Sequence, residues 1–458
     1  MKMQTTLDSI DAEREYEKKS ILDEYHHIDN EVSRNPMITR KLRFDGIALL
    51  AIASLFNLDR VAFGQPKIES KTPYGYEYFQ LRGGLLNCQA KFTHEKAGRV
   101  AFVGGSITAA KGWRDLVCEE LKQRFPETQF EFIAAGISSL GSTPGAFRLD
   151  RDVLSKGNVD LLFEEAAVND DTNGFNDTEQ VRGMEGIVRQ ARLVNPAMDI
   201  VLLHFADPGK VALYNQGTTP AVIANHEKVA ERYQVPSIDL AKEVTERIRA
   251  GEFEWDKDFK NLHPSPFGHQ LYARSIARLF TSAWQKSTLP LTQARPYILP
   301  EPVDPHSYFL GRLLRPDEAD TSKSLTLDSR WTLESHWKPN DKVGTREGFV
   351  NVPTLIAEFP GAMLKLNFRG IGIGVFVASG PDAGNLEFRV DDGAWQRIEL
   401  FTQWSPNLHL PWAKMLASEL TPGEHTLELR VASDADPRSK GNAIRITHFL
   451  VNGNSFGK

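Results

Sequence analysis

The sequence predicts an α/β domain, three-layered (α/β/α) with a mostly parallel sheet, followed by an antiparallel, jelly-roll-like β-sandwich. Between about residue 97 and residue 284, short β-branched or aromatic runs alternate with amphipathic segments of helical spacing. Such alternation is typical of a parallel sheet with helices on both faces. After about residue 325, short strands with period-two alternation and Gly or Asp turns dominate, which is typical of an antiparallel sandwich.

Length and composition limit the number of domains and the classes of ligand that the sequence allows. The chain has 458 residues, 41% of them hydrophobic and 25% charged, and a formal net charge of −6. The length predicts more than one domain, and the negative charge argues against nucleic acid as the main ligand. We predict a lead and signal segment at 1–64, the α/β domain at 65–288, a Pro-rich linker at 289–324 and the sandwich at 325–458. With only two cysteines, Cys88 and Cys118, the sequence predicts neither a disulfide framework nor a thiolate metal cluster.

The N-terminal 64 residues resemble a targeting segment. Residues 1–36 are polar and strongly charged, and a basic stretch at 40–43 then precedes a short apolar run, Ile47–Phe56. Small residues at 62–64 complete the order of a secretory signal peptide, which would look ordinary if translation began at Met37. We therefore expect an exported (periplasmic or extracellular) protein. An amphipathic helix on a cytoplasmic protein is the alternative. The apolar run is too short for a membrane span.

The elements of the first domain follow from their periodicity. Apolar runs ending in small or polar residues predict strands, and apolar residues at helical spacing predict helices. The predicted strands are Arg99–Val103, Phe130–Ala134, Val159–Phe163, Ile200–Phe205 and Pro236–Leu240. The predicted helices are Gly112–Phe125, Pro144–Leu154, Glu179–Leu193, Ala221–Tyr233, a segment ending at Arg249, and Gly268–Trp284.

Four loops carry the polar residues of interest. Three of them, 104-GGSIT-108, 135-AGISSLGSTPG-145 and 167-AVNDDTNG-174, directly follow predicted strands. The fourth, 258-DFKNLHPSPFGH-269, precedes the last helix. Each loop alone would be an ordinary turn or cap. Because ligands of open α/β sheets bind beyond the carboxyl ends of the strands, the four together indicate a site at that edge.

In these loops the chain resembles the SGNH (GDSL-type) hydrolases, over roughly residues 75–287. Ser106 matches the family nucleophile, Asn169 the family Asn, and His263 the family base. The resemblance implies a flavodoxin-like catalytic domain and a serine-based ester hydrolysis. More particularly, the chain is similar to carbohydrate-esterase members with a C-terminal β-sandwich.

Two positions depart from the family pattern. The family usually has Asp three residues before the catalytic His, but Lys260 stands there. We expect Asp258 to orient His263, with Asp256 or a backbone carbonyl as alternatives. For the family glycine, Gly141 or Ser139 could provide the backbone N–H.

These residue types suit acyl transfer. A serine hydroxyl needs a neighbouring base, and the pKa of histidine lies near neutrality. The oxyanion needs donors that are already in place. We expect these to be the N–H groups of Ser106 and Gly141 and the amide of Asn169.

The sandwich contains an aromatic segment, 401-FTQWSPNLHLPW-412. Trp404, His409 and Trp412 could extend a saccharide site, because aromatic faces stack on sugar rings. The alternative is that these side chains fill the sandwich core.

The sequence therefore predicts an exported serine esterase that acts on an ester, in first place an O-acetyl group, of an oligo- or polysaccharide. We expect no cofactor and no metal, and the partner to be the acylated saccharide, with no nucleic acid. The alternatives are a lipid or thioester acylhydrolase, an acyltransferase, and a non-catalytic carbohydrate-binding protein with a decayed triad.

Overall fold

The computed structural model describes residues 72–285 and 293–453. The predicted charged lead, the signal peptide and the start at Met37 lie outside the described residues.

Helices and strands alternate through the first part of the chain, as the sequence predicts. In chain order they are β1 (Phe79–Gln80), α1 (Leu86–Ala90), β2 (Ala97–Gly104), α2 (Ser106–Ala109), α3 (Trp113–Arg124), β3 (Gln129–Gly136), α4 (Ser142–Asp152), β4 (Leu161–Glu164), α5 (Ala167–Thr172), α6 (Asp177–Val194), β5 (Asp199–His204), α7 (Pro208–Asn215), α8 (Ala221–Arg232), β6 (Ser237–Asp239), α9 (Leu240–Arg249) and α10 (Pro266–Gln285). Short helical turns lie at Lys91–Glu95, Leu154–Lys156 and Trp255–Phe259.

Within the described residues these strands form a six-stranded sheet in the order β1-β6-β5-β4-β2-β3. Strands β2 to β6 are parallel, and β1 pairs antiparallel with β6 at one edge. Alternate side chains of each strand enter two different cores: Phe102 and Phe163 belong to one, Ala101 and Leu162 to the other. A sheet with an apolar core on each face needs helices on both sides, so the three-layer α/β/α prediction is confirmed.

The C-terminal part is the predicted antiparallel sandwich. Its elements are β7 (Gly311–Leu314), α11 (Pro316–Thr321), β8 (Leu325–Leu327), β9 (Thr332–Trp337), β10 (Val352–Ala357), β11 (Met363–Gly370), β12 (Gly372–Ser379), β13 (Asn385–Val390), β14 (Gln396–Glu399), β15 (Leu410–Ala417), β16 (Gly423–Val431) and β17 (Ile444–Asn452).

Two sheets enclose the sandwich core. One has the order β15-β12-β17-β10-β9, with β7 also paired to β17, and the other has the order β14-β13-β16-β11-β8. The segment Asp391–Gly393 lies in the turn that joins β13 to β14 as a hairpin, with Leu386 opposite Ile398. Strand β7 falls in the segment predicted as a linker, so that segment contributes directly to the sandwich sheet.

The two parts share a core within one compact unit, Pro66–Lys458. Phe147 of α4 and Ile187 of α6 belong to the same buried cluster as Phe376 and Leu450 of the sandwich. Arg182 of α6 reinforces this contact, because its guanidinium bonds to Asp304 and to Glu419. No helix in residues 72–285 or 293–453 is long and apolar enough to cross a membrane.

Candidate active site

Ser106 is the first residue of the short helix α2, which follows β2 at the carboxyl end of the sheet. Gly105 precedes it as the N-terminal cap of that helix. A Cβ atom on Gly105 would lie 1.8 Å from Asn169 Oδ1, so only glycine permits this close approach. The GGSIT turn therefore brings the Ser106 and Asn169 loops together.

His263 lies within hydrogen-bonding distance of Ser106. The distance from Ser106 Oγ to His263 Nε2 is 2.8 Å, although the two residues are 157 positions apart in the sequence. The loop that carries His263 is held by its own polar groups: the N–H of His263 donates to Asn261 Oδ1 at 2.7 Å, and the N–H of Ser265 donates to the carbonyl of Phe259. This arrangement is that of a hydroxyl nucleophile and its general base.

Three donors in these loops form no hydrogen bond with another described residue. They are the N–H of Ser106, the N–H of Gly141 and the amide of Asn169. Asn169 is half-buried in α5, the helix that follows β4. Unpaired donors in these loops meet one requirement of an oxyanion site.

Asp170, next to Asn169, ties two of the loops together. Its Oδ1 accepts the N–H of Ser142 at 2.7 Å, and its Oδ2 accepts the Ser142 hydroxyl at 2.5 Å. His226 Nε2 lies 3.0 Å from the same Oδ2, and Asp170 and His226 are fully buried. A Cβ on Gly141 would lie 2.0 Å from Asp170 Oδ1. Asp170 thus fixes the orientation of the Gly141–Ser142 peptide by accepting its N–H.

The sequence analysis missed Asp170. It lies in the VND segment, but an acid after a strand is commonly a turn residue. Its partners are distant in the sequence, so nothing in that segment predicts its contacts. Ser139, the alternative to Gly141, has a left-handed φ of 71°, and its carbonyl accepts the amide of Asn173.

Asp258 lies in the short helical turn Trp255–Phe259 before the His263 loop. Its Oδ2 accepts the backbone N–H of Glu254 at 2.8 Å, and its carbonyl accepts the Ser265 hydroxyl at 2.5 Å. Both bonds shape the loop that carries His263. Asp256 lies in the same turn.

Three buried ionisable residues, Glu164, Glu165 and His269, lie in or next to the loops of the candidate site. Burial raises the pKa of Glu164 to about 8 and that of Glu165 to about 7. His269 accepts the Trp113 N–H through Nδ1 at 3.2 Å. Burial, together with the nearby His263, lowers the pKa of His269 to about 4. His269 is therefore neutral at physiological pH.

Three further polar residues near the sheet edge, His204, Asp207 and Arg148, have structural partners. His204 bonds to Glu227 at 2.7 Å, and the Asp207 carboxylate caps α7 by accepting the Lys210 N–H. Arg148 is buried and donates to the carbonyls of Ala135 and Gly104. In residues 72–285 and 293–453 no group of three or more His, Cys, Asp or Glu side chains could hold a metal ion.

The aromatic segment of the sandwich is turned inward. Trp412 is 7% exposed in the sandwich core, and Trp404 packs half-buried against that core. His409 is 3% exposed, lies edge-on to Trp337 and bonds to Asp341. These positions correspond to the alternative in which the side chains fill the core.

Comparison with known proteins agrees with this geometry. Residues 102–271, which include Ser106, Asn169 and His263, match the GDSL-like lipase/acylhydrolase family. No protein of curated function gives a match.

Two solved structures resemble the chain over both its parts. Both are of a two-domain esterase (CEX) active on acetylated mannans. The one co-crystallised with mannopentaose is 20% identical, with a TM-score of 0.60, covering 84% of this chain and all of that chain. The other is 21% identical, with a TM-score of 0.61, covering 83% of this chain and all of that chain. At such identities the likeness shows the fold.

The sheet, the loops at its carboxyl edge and the family match therefore agree, and the α/β part of this chain contains a GDSL-like lipase/acylhydrolase domain, matched over residues 102–271.

Proposed function

We propose that the protein is a serine esterase that removes an acyl group, in first place O-acetyl, from an oligo- or polysaccharide through an acyl-enzyme. The observation that carries this proposal is the 2.8 Å contact between Ser106 Oγ and His263 Nε2. The unpaired donors around it supply the second requirement of acyl transfer.

The first half-reaction acylates the serine. His263 Nε2 takes the proton of Ser106 Oγ while Oγ attacks the ester carbonyl carbon. The carbonyl oxygen becomes an oxyanion, which the N–H groups of Ser106 and Gly141 and the amide of Asn169 receive. When the intermediate collapses, the ester bond to the sugar breaks. His263 gives its proton to the departing sugar oxygen.

The second half-reaction releases the acid. His263 takes a proton from a water molecule, which attacks the acyl carbon on Ser106. The same donors stabilise the second oxyanion. Collapse returns the proton to Ser106 Oγ and frees acetic acid, which ionises to acetate in solution, so that the enzyme is restored with atoms and charge balanced.

The group that orients the His263 ring is a separate part of the proposal. Asp258 is our predicted acid. Its Oδ2 accepts the N–H of Glu254, and a carboxylate can accept further hydrogen bonds through its remaining lone pairs. Asp256 and a backbone carbonyl are the alternatives.

The saccharide substrate rests on the neighbours. The two-domain esterases that share the fold act on acetylated mannans, and one holds mannopentaose. We extend this substrate class to the present chain. We also propose export of the protein, from the order of charged and apolar residues at 37–64. Export is tested by N-terminal sequencing of protein recovered from outside the cytoplasm, which should begin near Gln65; an uncleaved cytoplasmic protein would contradict it.

The proposal is tested by measuring acetate release from acetylated mannan, acetylated xylan and p-nitrophenyl acetate. Wild type is compared with Ser106→Ala, His263→Ala, Asp256→Ala and Asp258→Ala. We expect the first two variants to lose nearly all activity, because nucleophile and base act as a unit. Whichever aspartate orients the base should show a large loss of kcat, and neither will if a carbonyl does so.

Unchanged acetate release by Ser106→Ala would overturn the nucleophile assignment. A wild type that binds acetylated mannan without releasing acetate would instead establish a carbohydrate-binding protein.

A further inference from the structure

A cavity of about 640 Å³ lies between the edge of the α/β sheet and the sandwich. One wall is the end of β3 and the loop after it, residues 134–138, and the cavity reaches Ala109, three residues after Ser106. The other wall comes from the sandwich, through residues 346–353 and His448. We call this space the edge cleft. Its volume is in the range of ligand-binding sites.

The lining of the edge cleft is rich in cations, although the chain as a whole is acidic. Four of the lining residues are Lys or Arg, and two are Asp or Glu, so the formal sum of their charges is +2 (4 − 2). The cations are Arg151, Lys156, Arg315 and Arg346, and the anions are Asp152 and Glu347.

The cations differ in how far they are already compensated. Arg315 pairs with Asp317. Asp152 is shared by two guanidinium groups, those of Arg148 and Arg151. Lys156 is exposed, and no ion pair of its ammonium group with another described residue is recorded. Lys156 therefore supplies exposed positive charge in the cleft, whereas Arg151 and Arg315 are paired with carboxylates.

The Arg151 guanidinium is held in place. It donates to Asp152 through Nε (2.6 Å) and Nη2 (3.1 Å), and it lies over the ring of Phe349 at 5.4 Å. Burial lowers the pKa of the neighbouring His448 to about 3, and Arg151 and Arg315 act in the same direction. Because His448 is neutral, it adds no positive charge to the cleft, and the cations of the lining are Arg and Lys side chains.

We propose that the edge cleft binds the carboxylate of a uronic acid residue, so that the substrate is an acylated acidic oligosaccharide. The exposed ammonium group of Lys156 supplies the charge that attracts a carboxylate. The sheet order leaves the outer edge of β3 without a partner strand in the described residues, and its backbone groups can bond sugar hydroxyls. The saccharide part of this inference rests on the proposed function. The acidic part rests on the cleft.

The test is calorimetric binding to the full-length Ser106→Ala variant, which keeps the cleft and removes the nucleophile. The probes are a xylo-oligosaccharide with one glucuronic acid substituent and the same oligosaccharide without it. We expect the acidic probe to bind about fivefold or more tightly, as for a partly exposed charge pair. We expect the difference to shrink as NaCl rises.

Lys156→Glu, added to Ser106→Ala, should abolish the preference for the acidic probe. Lys440→Glu is the matched control, because Lys440 is exposed and does not line the cleft, and it should keep the preference. Equal binding of the two probes, or an unchanged preference in Lys156→Glu, would overturn the inference. So would competition by sulfate as effective as that by free glucuronate, because the cleft would then bind any anion.

Hydrolysis of p-nitrophenyl acetate separates this inference from the proposed function. That small neutral ester has no carboxylate, so its hydrolysis by the wild-type enzyme measures esterase activity without the acid-binding part of the cleft. Esterase activity without a preference for the acidic probe would contradict the inference about the uronic acid and leave the proposed esterase function unaffected. Acid preference in a protein without esterase activity would remove the esterase proposal alone.

Discussion

Ser106 is half-buried, whereas Gly105 and Ile107 on either side of it are buried. The hydroxyl is therefore open to a substrate while its backbone is fixed by packing. A nucleophile placed this way loses little freedom when substrate binds, and the rate benefits from that fixed geometry.

Asn169→Ala tests the oxyanion site directly. Removal of one such donor typically raises the barrier by about 2.7–4 kcal/mol, so we expect kcat to fall by about a hundredfold or more. The half-buried amide has no recorded hydrogen bond to another described residue, so the melting temperature should change little. Steady-state kinetics and thermal melting measure the two effects. A loss of less than about threefold in kcat would exclude Asn169 as an oxyanion donor.

We expect Asp170 to be a positioning residue that acts through Gly141. Asp170→Ala removes the acceptor of the Ser142 N–H and hydroxyl, so the Gly141 donor should move. We expect kcat to fall with little change in KM, and stability to fall by about 1–3 kcal/mol because buried donors lose their acceptor. Asp170→Asn keeps one acceptor and should restore part of kcat. Equal kcat in Asp170→Ala and wild type would contradict this role.

At the scale of elements, the sequence predicts well what periodicity encodes. Strands β2 to β6 and the longer helices lie within about three residues of their predicted bounds, because each has a buried face with a regular repeat. The two-residue strand β1 is too short to show a repeat. Helix α7 begins at Pro208, within a segment that reads as a loop.

The candidate site also contains residues that the sequence could predict and contacts that it could not. Ser106, Asn169 and His263 could be identified because each follows a recognisable motif, and the structure brings all three loops together. The contacts of Asp170 could not be predicted, because they join residues 28 and 56 positions apart. The partner of the Asp258 carboxylate, a backbone N–H in its own turn, depends on local geometry that composition does not encode.

Strand β4 ends in Glu164, which is 1% exposed. Its pKa rises from the ordinary 4.5 to about 8, first through burial. Between these two values the folded protein binds more protons than the unfolded chain, so this group makes stability fall as pH rises from about 4.5 through 8. Glu164→Gln cannot ionise, and we expect its stability to fall less over that range.

Urea unfolding at pH 5 to 9 measures this difference. Glu131→Gln is the control, because Glu131 is exposed on the edge strand β3, and its pH profile should follow that of wild type. Parallel profiles for Glu164→Gln and wild type would contradict a raised pKa at Glu164.

At the scale of the whole molecule, the α/β part and the sandwich share a buried cluster that includes Phe147, Phe376 and Leu450. Unfolding either part alone would expose apolar surface of the other, which is unfavourable. We therefore expect one cooperative transition in differential scanning calorimetry, with agreement between calorimetric and van't Hoff enthalpies. Two well-separated transitions would contradict the shared core.

The central claim is that Ser106 is a nucleophile activated by His263. The most direct measurement is labelling of the full-length protein with a fluorophosphonate probe, followed by peptide mass spectrometry. The account predicts one adduct, on the peptide that contains Ser106, absent in Ser106→Ala and formed far more slowly in His263→Ala. An unlabelled wild type, or labelling that persists in Ser106→Ala, would contradict it.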